Sequence, residues 1–506
     1  MEKVIPLDIP LLNREICRYL SQKDLSQCTL VSKTWSTWFS PALWRNISFN
    51  RGLPDIETLS KKQEHVQIIR CLGMTEAGAI RDRLSFPNLQ RLEFSYSWNS
   101  SGLHRVELRV LRMLESIQTL RCLKISLALH HDDVFRQWIR TLQALPFLKK
   151  LELSCHQFVG GMAIQEFLQQ CRRLESLELE FAGNNLNFDQ EDQDELRAAK
   201  AAIEKMPVMQ LRRLSFSSRL DTYSETILHP LLERCPNLET LDLSRINHIP
   251  TLKHLASILK DNSLPNFRHW LVGGLYGEDS QNAHAEMLGS FGCGLKSITT
   301  AGDPGSLTLE ALTQCHVHSL TNLNLNDTSV KLLTFSNFMA ALINLRSVKA
   351  SINSDSSDND FDKAMDEEWM CIDLKSLELH LDTSTRTPKR TRRFINGRQW
   401  RGSRAQRCLD YVFSQVTKLR DLEELQLSCS QDDLFLMKRG YLGQLAGLKQ
   451  LRTLDLNKTP PSDFGEVEAL WMLRNWPKLA QVKDQGAPEV FRTTLLSKRP
   501  LIQVES

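Results

Sequence analysis

Long apolar runs are missing from this chain: the most extended charge-free stretch, Leu332–Leu345, is too short and too polar to span a bilayer. Charge of either sign is not in excess, since the net charge is only +3 over 506 residues, too little to imply a nucleic-acid or membrane partner. Twelve cysteines are scattered without a CxxC pair, the usage of a reducing compartment rather than of a disulfide framework. The opening MEKVIPLDIP has no continuous apolar segment, so no secretory signal is visible and the cell interior, cytoplasm or nucleus, is the expected home. HExxH, GxSxG, GxxxxGK[ST] and GxGxxG are all absent, and serines and histidines fall in no recognisable catalytic spacing. No catalytic residue, cofactor or metal is expected. CHVH (315–318) has ligand-type side chains but no second cluster nearby, and the glycine-rich GGLYGEDS (273–280) fits a turn better than a phosphate cradle.

What is abundant is one short pattern. FPNLQRLEF (86–94), CRRLESLEL (171–179) and CPNLETLDL (235–243) share the kernel LxxLxL. Its first position recurs fourteen times from Leu89 to Leu479, at gaps of 25 to 31 residues apart from two of 37 and 48. Each kernel is too short to be anything but a strand with one buried face. Helical patterns such as MAIQEFLQQC (162–171) and GEVEALWMLRN (465–475) lie between kernels. Length alone would give about three domains. A strand and a helix repeated at this period instead predict one α/β solenoid over residues 63–500, a horseshoe with strands on its concave side. The pattern resembles the leucine-rich-repeat superfamily, without its regular asparagine after the strand. Cys171 and Cys235, each three residues before a kernel, read as small buried hydrophobes.

Residues 1–48 precede the repeats and follow another rule. Pro10 sits in the first turn of a helix that Asp8 can cap; Ser21 and Asp24 open a second; Lys33–Phe39 form a third. A trio of this size cannot cover Leu11, Leu30, Trp38 and Phe39 as well as one core stripe per helix, and surplus apolar surface implies a partner. Ile9-Pro10, Tyr19-Leu20, Lys23-Asp24-Leu25, the run Leu30-Val31-Ser32-Lys33-Thr34-Trp35 and Leu43-Trp44-Arg45 together resemble an F-box. Leu11 stands near where that family usually has an acid, and Asn13 and Glu15 dilute the first helix. The resemblance implies an F-box at 1–48, a linker at 49–62, and docking on a Skp adaptor that reaches cullin and RING subunits. The adaptor-binding residues it implies are Ile9, Pro10, Leu12, Ile16, Leu20, Leu25, Leu30, Val31, Trp35 and Trp44. An F-box followed by leucine-rich repeats resembles the substrate-recognition subunit of an SCF-type ubiquitin ligase. A helical cap on the first repeat is the plainer alternative.

Charged insertions are expected as flexible loops at about 183–200, 353–368 and 383–407. The last has nine Arg or Lys and no acid; the one before it has seven acids and one lysine, so the two have the charges to pair with each other. Within PKRTRR, Lys389, Arg390, Arg392 and Arg393 are a candidate nuclear-import signal, and nucleic-acid contact through this loop is the weaker reading. The fifth kernel positions, which face the concave side, begin Glu93, Lys124, Glu152, Glu178, Ser215, Asp242. Two readings stay open there: neutralisation by neighbours such as Arg91 and Lys150, or an acidic column of Glu152, Glu178 and Asp242 that takes a basic segment of a protein substrate. For the whole chain, ligase adaptor and non-ligase binding scaffold both remain.

Overall fold

The structure is a computed structural model. It describes residues 10–49, 55–73, 80, 84–94, 110–127, 132–155, 161–181, 190–218, 224–244, 249–261, 264–273, 277–291, 294–300, 304–353, 358–382, 394–395, 398–399, 404–429, 440–456, 464–484 and 486–505. The chain divides into two compact units, 1–238 and 239–506.

The first unit opens with three helices, α1 (Pro10–Tyr19), α2 (Gln22–Val31) and α3 (Lys33–Trp44). Ser21 starts α2 as a reciprocal cap: its Oγ accepts from Asp24 N at 3.2 Å and its own N–H donates to Asp24 Oδ2 at 3.1 Å. Ser32, in extended conformation, ends α2 and caps α3 through Trp35 N at 3.1 Å. The third helix runs past Phe39, through Pro41, to Trp44. Proline there costs one backbone hydrogen bond, which the buried Phe39 and the half-buried Leu43 and Trp44 offset.

Seven parallel strands follow, each bonded to the next: β1 (Asn46–Ser48), β2 (Ile68–Leu72), β3 (Arg91–Phe94), β4 (Cys122–Leu127), β5 (Lys150–Cys155), β6 (Ser176–Phe181) and β7 (Arg213–Ser218). Register aligns Leu92, Leu123, Leu151, Leu177 and Leu214 in one row, each 0% exposed. Parallel strands need a crossover of a dozen or more residues, and helices such as Gly161–Gln170 and Gln190–Glu204 supply it while covering the leucine row.

The second unit repeats the plan with β8 (Thr240–Leu243), β9 (His269–Val272), β10 (Ser297–Thr300), β11 (Asn322–Lys331), β12 (Ser347–Asn353) and β13 (Ser376–Asp382). A two-residue antiparallel pair, β14 (Phe394–Ile395) with β15 (Arg398–Gln399), stands apart. The parallel ladder resumes from β13 to β16 (Glu424–Cys429), β17 (Thr453–Asp455), β18 (Gln481–Lys483) and β19 (Gln503–Glu505). All fourteen kernel-opening residues are buried. No helix among the described residues is long and apolar enough to cross a membrane.

Residues 46–48 form the first strand of the sheet, and the stretch 49–62, expected as a linker, contains α4 (Ile56–Lys62) with Leu59 at 0% exposure. Two of the three expected loops are largely helical. In Gln190–Glu204 the buried Leu196, Ala199 and Ile203 fall three and four apart on one face; in Asp358–Asp366 the buried Phe361 and Ala364 lie three apart. Among many charges, a few apolar residues at helical spacing are enough for docking. Arg407 joins the acidic and basic blocks, at 3.7 Å from Asp362 Oδ1 and with its guanidinium 4.8 Å from the Phe361 ring centroid.

Candidate functional site: an exposed apolar face on the helical trio

The trio's core is small. Leu25 is 6% and Phe39 2% exposed, and Trp35 leans on Phe39 with ring centroids 5.4 Å apart. Around it the surface is unusually apolar: Leu11 is 74%, Leu12 45%, Ile16 38%, Tyr19 85%, Leu30 76% and Val31 62% exposed. On α1, Leu12, Ile16 and Tyr19 are spaced four and three apart and so share one side of the helix. Leu30 and Val31 end α2.

These exposures sort the sequence-derived adaptor set. Leu12, Ile16, Leu30 and Val31 are presented to solvent, whereas Leu20, Trp35 and Trp44 are half-buried. Leu25, at 6% exposed, is the described member of the set that offers least surface to solvent. Pro10 begins α1, and Ile9 lies outside the described residues. Leu11 and Tyr19 were not in that set; Tyr19 was detectable as the next step of the Leu12–Ile16 spacing.

The trio is sewn to the sheet. Arg45 O accepts from both Gln67 N and Ile68 N, at 3.0 and 2.9 Å, and Gln22 Nε2 donates to Asn46 O at 3.0 Å. A groove of about 480 Å³ lies at this junction, lined by Arg14, Arg18, Arg45, Trp38 and Gln67 among others.

On the open face of the first unit's sheet, register sets Glu93, Lys124, Glu152, Glu178 and Ser215 in one row. Glu152 is clamped by Lys124 Nζ at 2.9 Å and Lys150 Nζ at 2.5 Å and is only 9% exposed. Burial alone pushes its carboxyl up, but the hydrogen bonds and charges of the two lysines outweigh that and hold it below the usual carboxylate range. Glu93 is held by Arg91 at 2.6 Å. Glu178 is exposed next to Glu152, while Asp242 belongs to β8 of the second unit and accepts from Ser244 N at 3.0 Å. Of the three residues of the expected acidic column, Glu152 is ion-paired by two lysines. Lys389, Arg390, Arg392 and Arg393 lie outside the described residues. His316 of the CHVH stretch is a packing residue: its Nδ1 accepts from Leu295 N at 3.2 Å and its Nε2 donates to Leu288 O at 3.1 Å.

Comparison with curated proteins finds no match. Among solved structures, the chain is similar to one described as the crystal structure of the Rad7 and Elc1 complex in yeast, with 15% identity, a TM-score of 0.41, and coverage of 100% of this chain and 98% of that one. Residues 14–50, which take in most of α1, all of α2 and α3, and β1, match the F-box-like family.

Proposed function

We propose that this chain is a non-catalytic substrate-recognition subunit of an SCF-type ubiquitin ligase: the F-box-like trio docks a Skp adaptor, and through it cullin and RING subunits, while the leucine-rich repeats hold a target protein. The observation that supports this reading best is the solvent-facing set Leu12, Ile16, Tyr19, Leu30 and Val31 on an F-box-like domain. Burying one such side chain is worth about 1.5–3 kcal/mol, so a handful suffices as interface anchors.

The test is a Leu12→Asp, Val31→Asp double variant. Both residues lie on the surface, so the melting temperature should stay within about 2 °C of wild type, while capture of the Skp adaptor should fall at least roughly a hundredfold. Wild-type capture by this variant would remove the reading. A non-ligase scaffold is the second reading, and the same pull-down separates the two. A ligase subunit brings cullin with the adaptor, and its bound target accumulates in cells when the double variant replaces it; a scaffold does neither.

A further inference from the structure

Charge on the sheet's open face is settled locally on some strands and not on others. In the first unit, Lys149 pairs with Glu175 at 2.5 Å beside the Arg91–Glu93 and Lys124–Glu152–Lys150 pairs. At the far end of the second unit, Lys375 lies 3.9 Å and Arg452 3.3 Å from Glu423. Within the second unit, the strands β9–β12 form a window with a different composition. Of the twelve outward kernel positions belonging to β9–β12, the second, third and fifth of each, none is a carboxylate.

Three cations line one edge of that window. Lys296 N donates to Arg268 O, Thr321 N to Lys296 O, and Arg346 N to Thr321 O, at 2.8 to 2.9 Å. These residues are thus successive rungs, about 4.8 Å apart, and Arg268 to Arg346 spans about 14 Å. The Arg268 guanidinium donates to two backbone carbonyls, of Pro265 and Phe267. Lys296 and Arg346 are exposed and have no ion pair or side-chain hydrogen bond among the described residues. Next to this edge run Ser297, Asn322 and Ser347, neighbours by strand register, which offer neutral donors and acceptors.

We propose that this window binds an extended, carboxylate-rich segment of a partner protein. The inference rests on the reading that the repeats select the target, and it names that target's chemistry. A guanidinium and an ammonium two rungs apart can each take a carboxylate, and the neutral row can hold the main chain. Nucleic acid fits less well. Single-strand binders stack bases on exposed rings, and here Phe267 and Trp270 are both 0% exposed.

The experiment titrates full-length protein into a fluorescein-labelled Glu-Ser repeat peptide of about ten residues, with Lys-Ser and Gln-Ser peptides and a single-stranded oligonucleotide as comparisons. Anisotropy is read at about 50 and 200 mM salt. The acidic peptide should bind best, and less tightly at the higher salt. Lys296→Glu with Arg346→Glu should weaken it by roughly tenfold or more and flatten the salt dependence. Lys149→Glu, at a position already ion-paired, should change it by less than about twofold. Failure of the wild type to bind the acidic peptide overturns the proposal. So does an unchanged affinity in the folded double variant, checked by its melting curve, or tighter binding of the oligonucleotide. Adaptor capture is measured on the same samples. Lost peptide binding with intact capture defeats this inference alone; lost capture with intact peptide binding defeats the ligase reading alone.

Discussion

Leu25 and Leu30 lie five residues apart on α2 and have opposite fates, 6% and 76% exposed. Leu25, Cys28, Val31 and Trp35 have helical spacing, but Ser32 adopts extended φ and ψ of −161° and 166° and Trp35 belongs to the next helix, as the expected third helix requires. A period of 3.6 holds only while the helix lasts. Leu25→Ala should therefore cost about 2–4 kcal/mol of trio stability, and Leu30→Ala almost none. Hydrogen exchange of the α2 and α3 amides distinguishes the two. His284 is a second residue whose role was hidden. It is 0% exposed, its Nε2 accepts from Trp270 Nε1 at 3.0 Å, and Nδ1 lies 3.3 Å from Thr308 Oγ1. Burial drives its folded pKa from 6.5 down to about 3. Above pH 6.5 both folded and unfolded states are neutral there. Below it only the unfolded chain takes up the proton, so stability falls by about 1.4 kcal/mol per pH unit until the folded pKa is reached. His316, also lowered chiefly by burial, contributes with the same sign. Between pH 6.5 and about 5 the His284 share is about 2 kcal/mol. Denaturant titrations of wild type and His284→Gln at both pH values should show a smaller acid loss in the variant.

Elements differed in how clearly they announced themselves. The fourteen kernels were legible because each alternates over a fixed period, and the second-helix cap was legible because serine and aspartate three apart have a specific geometric use. Ser21→Ala should cost about 1 kcal/mol, seen as faster exchange in the first turn of α2. The strands β1, β2 and β19 lie outside the fourteen kernels, and β2 shifts register between Ile69 and Leu72. Charged composition concealed the helices at 190–204 and 358–366, since charge fraction reports the solvent side of a helix and says nothing of the side that docks. One close approach also went unread. A Cβ on Gly294 would stand 2.4 Å from Ser319 Cβ, so Gly294→Ala should lower the melting temperature measurably, the neighbouring repeat having no flexible side-chain end there to give way.

For the whole molecule, net charge proved a poor guide to local charge. A total of +3 averages over a face where Glu152 sits between two lysines and a window where Lys296 and Arg346 stand alone. Which outward residues meet depends on strand register, and kernel spacing had already fixed that; which of them pair depends on side-chain reach and burial, which spacing does not encode. The exposed apolar face was legible as a surplus, and Leu11 and Leu30 were legible members of it, whereas Phe39, grouped with them, is 2% exposed.

The short strand β1 has a practical outcome for anyone who removes the F-box. Asn46, Ile47 and Ser48 occupy the flank of β2, and Phe49 N reaches Arg70 O at 3.0 Å. Cutting the chain after residue 48 strips that flank and leaves the amide and carbonyl groups of β2 open to any strand that drifts by. The shortened protein should self-associate, giving rising light scatter with concentration, while the Leu12→Asp, Val31→Asp protein stays monodisperse. Loss of function on deletion would then report stickiness as much as a missing adaptor, and the point variant is the cleaner knock-out.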